Sequence, residues 1–168
     1  NVKEVARGQF VELAREGQDP VWTVLGEFSD MAHNTIAQPD RTVNNSLLWV
    51  SDFSSEYFNT MLYSQEKGLN SMANYYIEQS SNRYTITGEA TEWVTVPGEA
   101  WSYDDDLESP LGGNAVWYFL DDSIDGWYAM QIAAGKTPAQ IDAYLKGFDI
   151  WDRYDYDLDG NFNEPDGY

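Results

Sequence analysis

Apolar residues recur along this chain with two different periods, and the places where the period changes mark its elements. Residues 9–16 alternate, with Phe10 on one side and Val11 and Leu13 placed differently, as a half-buried strand requires. Gly17, Gln18, Asp19 and Pro20 read as a turn, and residues 21–28, Val-Trp-Thr-Val-Leu-Gly-Glu-Phe, follow as a second strand. That strand is apolar on both sides, so it is expected at the centre of a sheet covered on both faces. Residues 29–45 are polar and aperiodic and predict a long surface loop, which carries His33. Beyond Asp52 the period lengthens. Tyr57, Phe58, Met61 and Leu62 share one helical face, with Ser54 or Asp52 offering a capping oxygen. A second helix places Met72, Tyr75, Tyr76 and Gln79 at helical spacing and closes at Asn82, a residue type that tolerates left-handed backbone.

The period then falls back to two. Residues 84–88 and 92–96 are rich in β-branched and aromatic side chains and stop at Pro97 and Gly98, giving two strand segments or one bent strand. Residues 99–114 have no period and predict an exposed loop. A helix resumes near Val116, with Leu120, Ile124, Trp127, Tyr128 and Ile132 expected on its buried side and an end near Gly135. Thr137, Pro138 and Gln140 then supply an N-cap, a first-turn proline and a capping-box partner for a last helix that buries Ile141, Tyr144, Leu145 and Phe148. Residues 1–8 read as a ragged N-terminus. The sum is an α+β chain, and 168 residues suit a single domain or lobe spanning 1–168.

Charge narrows the chemistry. Against 29 acidic residues stand 9 basic ones, a net charge of -20, so polyanions are repelled and neither nucleic acid nor an anionic membrane is an expected partner. No apolar run approaches the roughly 20 residues that span a bilayer. The absence of cysteine excludes disulfides, thiolate metal sites and a cysteine nucleophile, and His33 is the single histidine. A lone histidine in a polar loop reads as a surface residue, and no catalytic role is assigned to it.

The densest carboxylate pattern lies near the end of the chain. Asp155, Asp157 and Asp159 alternate, Gly160 can take a sharp turn, Asn161 follows, and Asp166 falls at the twelfth loop position, where EF-hand loops carry a bidentate Glu. The spacing lets several oxygens converge on one calcium ion, with Asp155, Asp157, Asp159, Asn161 and Asp166 as ligands. Pro165 prevents a helix from running on through the loop, so the expectation is an EF-hand-like calcium loop without its flanking helices. Asp104, Asp105 and Asp106 with Asp121, Asp122 and Asp125 form a weaker acidic group, of the kind that is usually a solvated face.

Several of these segments together resemble one family. They are residues 21–28, the His33-Asn34-Thr35-Ile36 run, the helix end Tyr75-Tyr76-Ile77-Glu78-Gln79-Ser80-Ser81-Asn82-Arg83-Tyr84, residues 88–93, and residues 148–168 with the Asp155 to Gly167 block. In this order they are similar to the immune inhibitor A family of secreted bacterial zinc metallopeptidases. Residues 99–114 match least. The resemblance implies a zincin-like N-terminal lobe, with a mixed, mostly central sheet packed by amphipathic helices. It also implies a protein or peptide substrate and an extracellular location. In that family a His-Glu-x-x-His helix holds zinc and activates its water. No such motif occurs here, so the chain is expected to be the N-terminal part of a catalytic domain, truncated before the zinc-binding helix, inactive alone and partnered by the C-terminal remainder. Two other classes compete. One is a non-catalytic, calcium-dependent binding module. The other is a carbohydrate-active protein using an acid pair such as Glu89 and Glu92.

Overall fold

A computed structural model describes residues 2–12, 16–46, 48–104, 114–150 and 158–161, with the side chains of 2–4 and 10–12 left aside. Its elements are β1 (Val2–Ala6), β2 (Gln9–Glu12), β3 (Gly17–Glu27), α1 (Ser55–Tyr63), α2 (Met72–Gln79), β4 (Tyr84–Thr95), α3 (Ala115–Ala133) and α4 (Pro138–Leu145). A short 3-10 turn covers Ala100–Tyr103. Packing divides the chain into two compact units interleaved in sequence. One comprises 1–22, 62–88 and 136–168, the other 23–61 and 89–135.

The N-terminus is not ragged. β1 and β2 pair antiparallel, Val2 opposite Glu12 and Lys3 opposite Val11, around a turn in which Gly8 has φ of 72°. That value lies in the left-handed region open to glycine.

The residues read as a turn, Gly17 to Pro20, are the beginning of β3. β3 pairs with β4. The Gly17 N–H donates to the Arg83 carbonyl at one end, and the Val96 N–H donates to the Glu27 carbonyl at the other, so the two strands run parallel. In a parallel ladder alternate residues bond to the same neighbour. With Gly17 and Glu27 bonding toward β4, the missing N–H of Pro20 falls on the other side and costs this pair nothing. Among the described residues β3 has β4 as its only strand partner, where its two-sided apolar pattern had suggested a central strand.

In the first unit, Ser71 caps α2 by accepting from the Asn74 N–H at 3.0 Å. At the other end of α2, Ser81 (φ 55°) and Asn82 (φ 63°) turn left-handed, and Ser80 Oγ accepts from the Tyr84 N–H at 2.8 Å, leading the chain into β4. The two strand segments of the sequence pattern are thus one strand. Gly88 sits inside it because a Cβ there would meet the Val21 carbonyl oxygen at 2.0 Å and the Tyr63 ring at 2.9 Å. α4 carries the expected capping box of Thr137 and Gln140 with Pro138 in its first turn, and Ile141 is buried.

In the second unit, the core gathers Leu25, Ala90, Val94, Val96, Ala115, Ser123 and Trp127. α1 begins where Ser54 Oγ accepts from the Tyr57 N–H. α3 buries Trp127 as expected but is turned away from much of the rest of the face its large apolar residues predict. Ala115, Ser123 and Trp127 point inward, while Leu120, Tyr128 and Ile132 are exposed. Small residues decide the orientation: a Cβ on Gly26 would lie 2.6 Å from Ser123 Oγ, and one on Gly126 would lie 2.4 Å from Val94 Cγ1. The helix lies against the strands where neither surface carries bulk.

Candidate functional site

The end of β3 and the loop after it enclose an apolar cavity of about 290 Å³ within the second unit. Gly26, Glu27 and Phe28 come from β3 and its end, Met31, Ala32, His33 and Ile36 from the loop, Phe53 from the residues just before α1, Phe58 from α1, and Trp93 from β4. The loop folds back because Phe28 and Met31 form an isolated antiparallel bridge. It is then tied down along its length. The Ser29 N–H donates to the Gly98 carbonyl at 3.0 Å, and Asp30 Oδ1 accepts from the Ala100 N–H at 2.8 Å. Asn34 donates to Asp52 Oδ1 at 3.0 Å and accepts from the Phe53 N–H at 2.9 Å. Trp49 Nε1 reaches the Ile36 carbonyl at 2.9 Å.

His33 is not a free surface residue. Its ring Nδ1 lies 2.6 Å from Glu27 Oε2, and its backbone N–H donates to the same oxygen at 2.9 Å. Thr95 Oγ1 donates to the other carboxylate oxygen at 2.9 Å. The ring lies flat on Trp93, with centroids 4.4 Å apart and planes 4° from parallel, and Phe58 meets the same indole edge-on at 5.8 Å. Trp93 is itself fixed by a 2.6 Å bond from Nε1 to the Phe53 carbonyl. Partial burial pushes the Glu27 carboxyl up, but the bonds from the His33 ring and backbone and from Thr95, with the charge of His33, outweigh it and hold the group below its ordinary value. Glu27 is therefore ionised at neutral pH and can only accept. Nδ1 must carry the proton facing it, and Nε2 is left to accept a hydrogen bond, or to donate one when the ring is cationic. The arrangement can orient and bind. Among the described residues, the cavity lining holds neither a hydroxyl nor a thiol that the imidazole could activate.

Sequence reading missed Glu27 as the partner. The available signal was a carboxylate ending an otherwise apolar strand, six residues before the only histidine. Of the acidic group, Asp122 accepts from the Tyr103 hydroxyl at 2.5 Å, Asp104 is exposed, and Asp105 and Asp106 lie outside the described residues. Burial and the Asp122 bond push the Tyr103 hydroxyl up. Glu89 and Glu92 are both exposed on β4, and Glu92 accepts from Ser55 Oγ at 3.1 Å.

Of the calcium ligands expected from the sequence, Asp155, Asp157 and Asp166 lie outside the described residues. Asp159 and Asn161 lie inside, and Asp159 Oδ1 accepts from the Asn161 N–H at 2.7 Å across Gly160, whose φ is 83°. Among the described residues no group of three or more His, Asp or Glu side chains is placed to hold a metal. With one histidine and no cysteine in the sequence, the residues present do not fit a catalytic zinc. No helix among the described residues is long and apolar enough to cross a membrane.

Comparison with known proteins bears out the family resemblance read from the sequence. A family model described as immune inhibitor A peptidase M6, catalytic domain, matches residues 7–168. Immune inhibitor A of Bacillus thuringiensis subsp. alesti is 31% identical over 157 residues, covering 89% of this chain and 21% of that protein. The pre-pro-metalloprotease PrtV of Vibrio cholerae is 26% identical over 166 residues, covering 96% of this chain and 17% of that protein. The chain thus spans about a fifth of the length of these relatives.

Proposed function

Because the chain belongs to the immune inhibitor A family of M6 peptidases, we propose that it is the N-terminal part of the catalytic domain of a secreted zinc metalloendopeptidase that hydrolyses peptide bonds in proteins. The observation that carries this reading is the match over residues 7–168. The zinc ligands come from the part of the longer polypeptide that this sequence does not include, and zinc supplies the Lewis acid and the activated water there. No step of that chemistry falls to the residues present.

This chain contributes sheet, helices and a wall of the substrate cleft. The cavity beside Phe58 and Trp93 takes an apolar side chain of the substrate, and His33, oriented by Glu27, offers one hydrogen bond at its edge. Calcium at Asp155, Asp157, Asp159, Asn161 and Asp166 ties down the end of the segment. The alternating carboxylates support that assignment, as does the Asp159 to Asn161 turn across Gly160.

The test is cleavage of casein by the longer polypeptide before and after 1,10-phenanthroline, with zinc added back. Cleavage that is lost and restored is the expected result. A folded, metal-loaded polypeptide that leaves casein intact in every condition would sink the peptidase reading and favour a calcium-dependent binding module.

A further inference from the structure

Resting on the reading of the chain as part of a longer peptidase, we propose that the outer face of α3 is the surface on which the remainder of that polypeptide docks. α3 is apolar on two sides. One side carries Ala115, Ser123, Gly126 and Trp127 and packs inward. The other carries Trp117, Leu120, Ile124, Tyr128 and Ile132, which at 3.6 residues per turn fall within an arc of about 120°. Trp117 is 67% exposed, Leu120 42%, Ile132 40% and Tyr128 38%. A helix with apolar residues all round belongs in an interior, and a solvent face on a chain of net charge -20 should be rich in carboxylates. This arc contains one, Asp121.

A second copy is a poor occupant, because two surfaces on chains of charge -20 repel each other. The remainder of the polypeptide is a better one. The relatives are about five times as long as the matched segment, and a tethered partner is present at high effective concentration. The same helix therefore holds one face on its own strands and offers the other to the rest of the enzyme.

The chain has no cysteine, so introduced thiols report their own positions. Trp117→Cys and Ile132→Cys are made in the 168-residue chain and in the longer polypeptide, with Val43→Cys, 84% exposed in the loop, as an open control. Labelling rates at each site are read by peptide mapping. The expected result is at least tenfold slower labelling at 117 and 132 in the longer polypeptide, with 43 unchanged. Equal rates at 117 and 132 in the two proteins overturn the proposal. Protection that appears in the 168-residue chain alone as its concentration rises also overturns it, in favour of self-association. Casein cleavage is followed in the same samples, so the two readings fail separately. A polypeptide that cleaves casein with both thiols open loses the docking surface and keeps the peptidase, and one that protects both thiols but cleaves nothing does the reverse.

Discussion

Gly126 of α3 lies so close to Val94 of β4 that a methyl group on it would sit 2.4 Å from Val94 Cγ1. Two effects of opposite sign meet in the substitution Gly126→Ala. Helix propensity favours alanine by about 1 kcal/mol. Val94 is 2% exposed, its branched side chain has little room to turn away, and overpacking a core costs about 1–3 kcal/mol. The contact is expected to win. Denaturant unfolding should show Gly126→Ala less stable than the parent, and a gain in stability would mean that helix and strand are further apart than described.

The bond between His33 and Glu27 should behave as a coupled pair. His33→Ala removes a ring bonded to a carboxylate and stacked on an indole, interactions worth about 1.5–3 and about 0.5–1.5 kcal/mol in other proteins. The backbone bond from residue 33 survives the change, so the loss should fall toward the lower end. A double-mutant cycle with Glu27→Gln isolates the ring's share, with a coupling on the order of 1 kcal/mol. Additive effects of the two substitutions would show that the ring and the carboxylate do not stabilise each other.

The same carboxylate sets a pH dependence. Glu27 is held below its ordinary value of 4.5 in the folded chain. The unfolded chain takes up the proton first as pH falls, so the stabilisation is complete above about 4.5 and is lost as pH drops through the folded value. Protonating other carboxylates relieves the repulsion of a -20 chain and acts in the opposite direction. The decisive quantity is therefore the difference between parent and Glu27→Gln. That difference should shrink between pH 5 and pH 3, a range set by the 4.5 reference, and a difference independent of pH would remove Glu27 as the source.

Calcium should raise the melting temperature of the chain. An ion that binds only the folded state stabilises by about 2.7 kcal/mol at a hundred times its dissociation constant. Chelation of a calcium-loaded sample is expected to reverse the gain, and Asp157→Ala to abolish it. If parent and variant melt alike with and without calcium, the loop binds no ion.

Legibility in the sequence followed the range of the interactions. The capping box at Thr137 and Gln140, the left-handed exit at Asn82 and the helix starting after Ser54 are settled within a few residues, and local spacing displayed them. α3 was read correctly at Trp127 but misled at Leu120, Tyr128 and Ile132, because both its faces are apolar. Periodicity cannot choose between such faces, and the choice fell to Gly126 and Ser123, whose smallness carries no signal until the strands opposite are known. The strand that begins at Gly17 looked like a turn because Pro20 breaks a ladder only on the side where it is bonded. The pairing of Glu27 with His33 depends on the bridge between Phe28 and Met31, a tertiary feature with no period. Family membership was readable because several segments spread along the chain carried the resemblance together, and the family match spans residues 7–168.

The parallel pairing of β3 with β4 also has a temporal side. Glu27 and Val96 are bonded through their backbones, yet a ribosome adding about 5–20 residues per second needs roughly 3–14 s to travel from one to the other. Throughout that interval the Val21 to Phe28 segment is a nascent strand without its partner, exposed to any other unpaired edge. Chaperone capture of the emerging chain, or a slow codon placed after Thr95 and not before it, would be the natural safeguards for so long a wait.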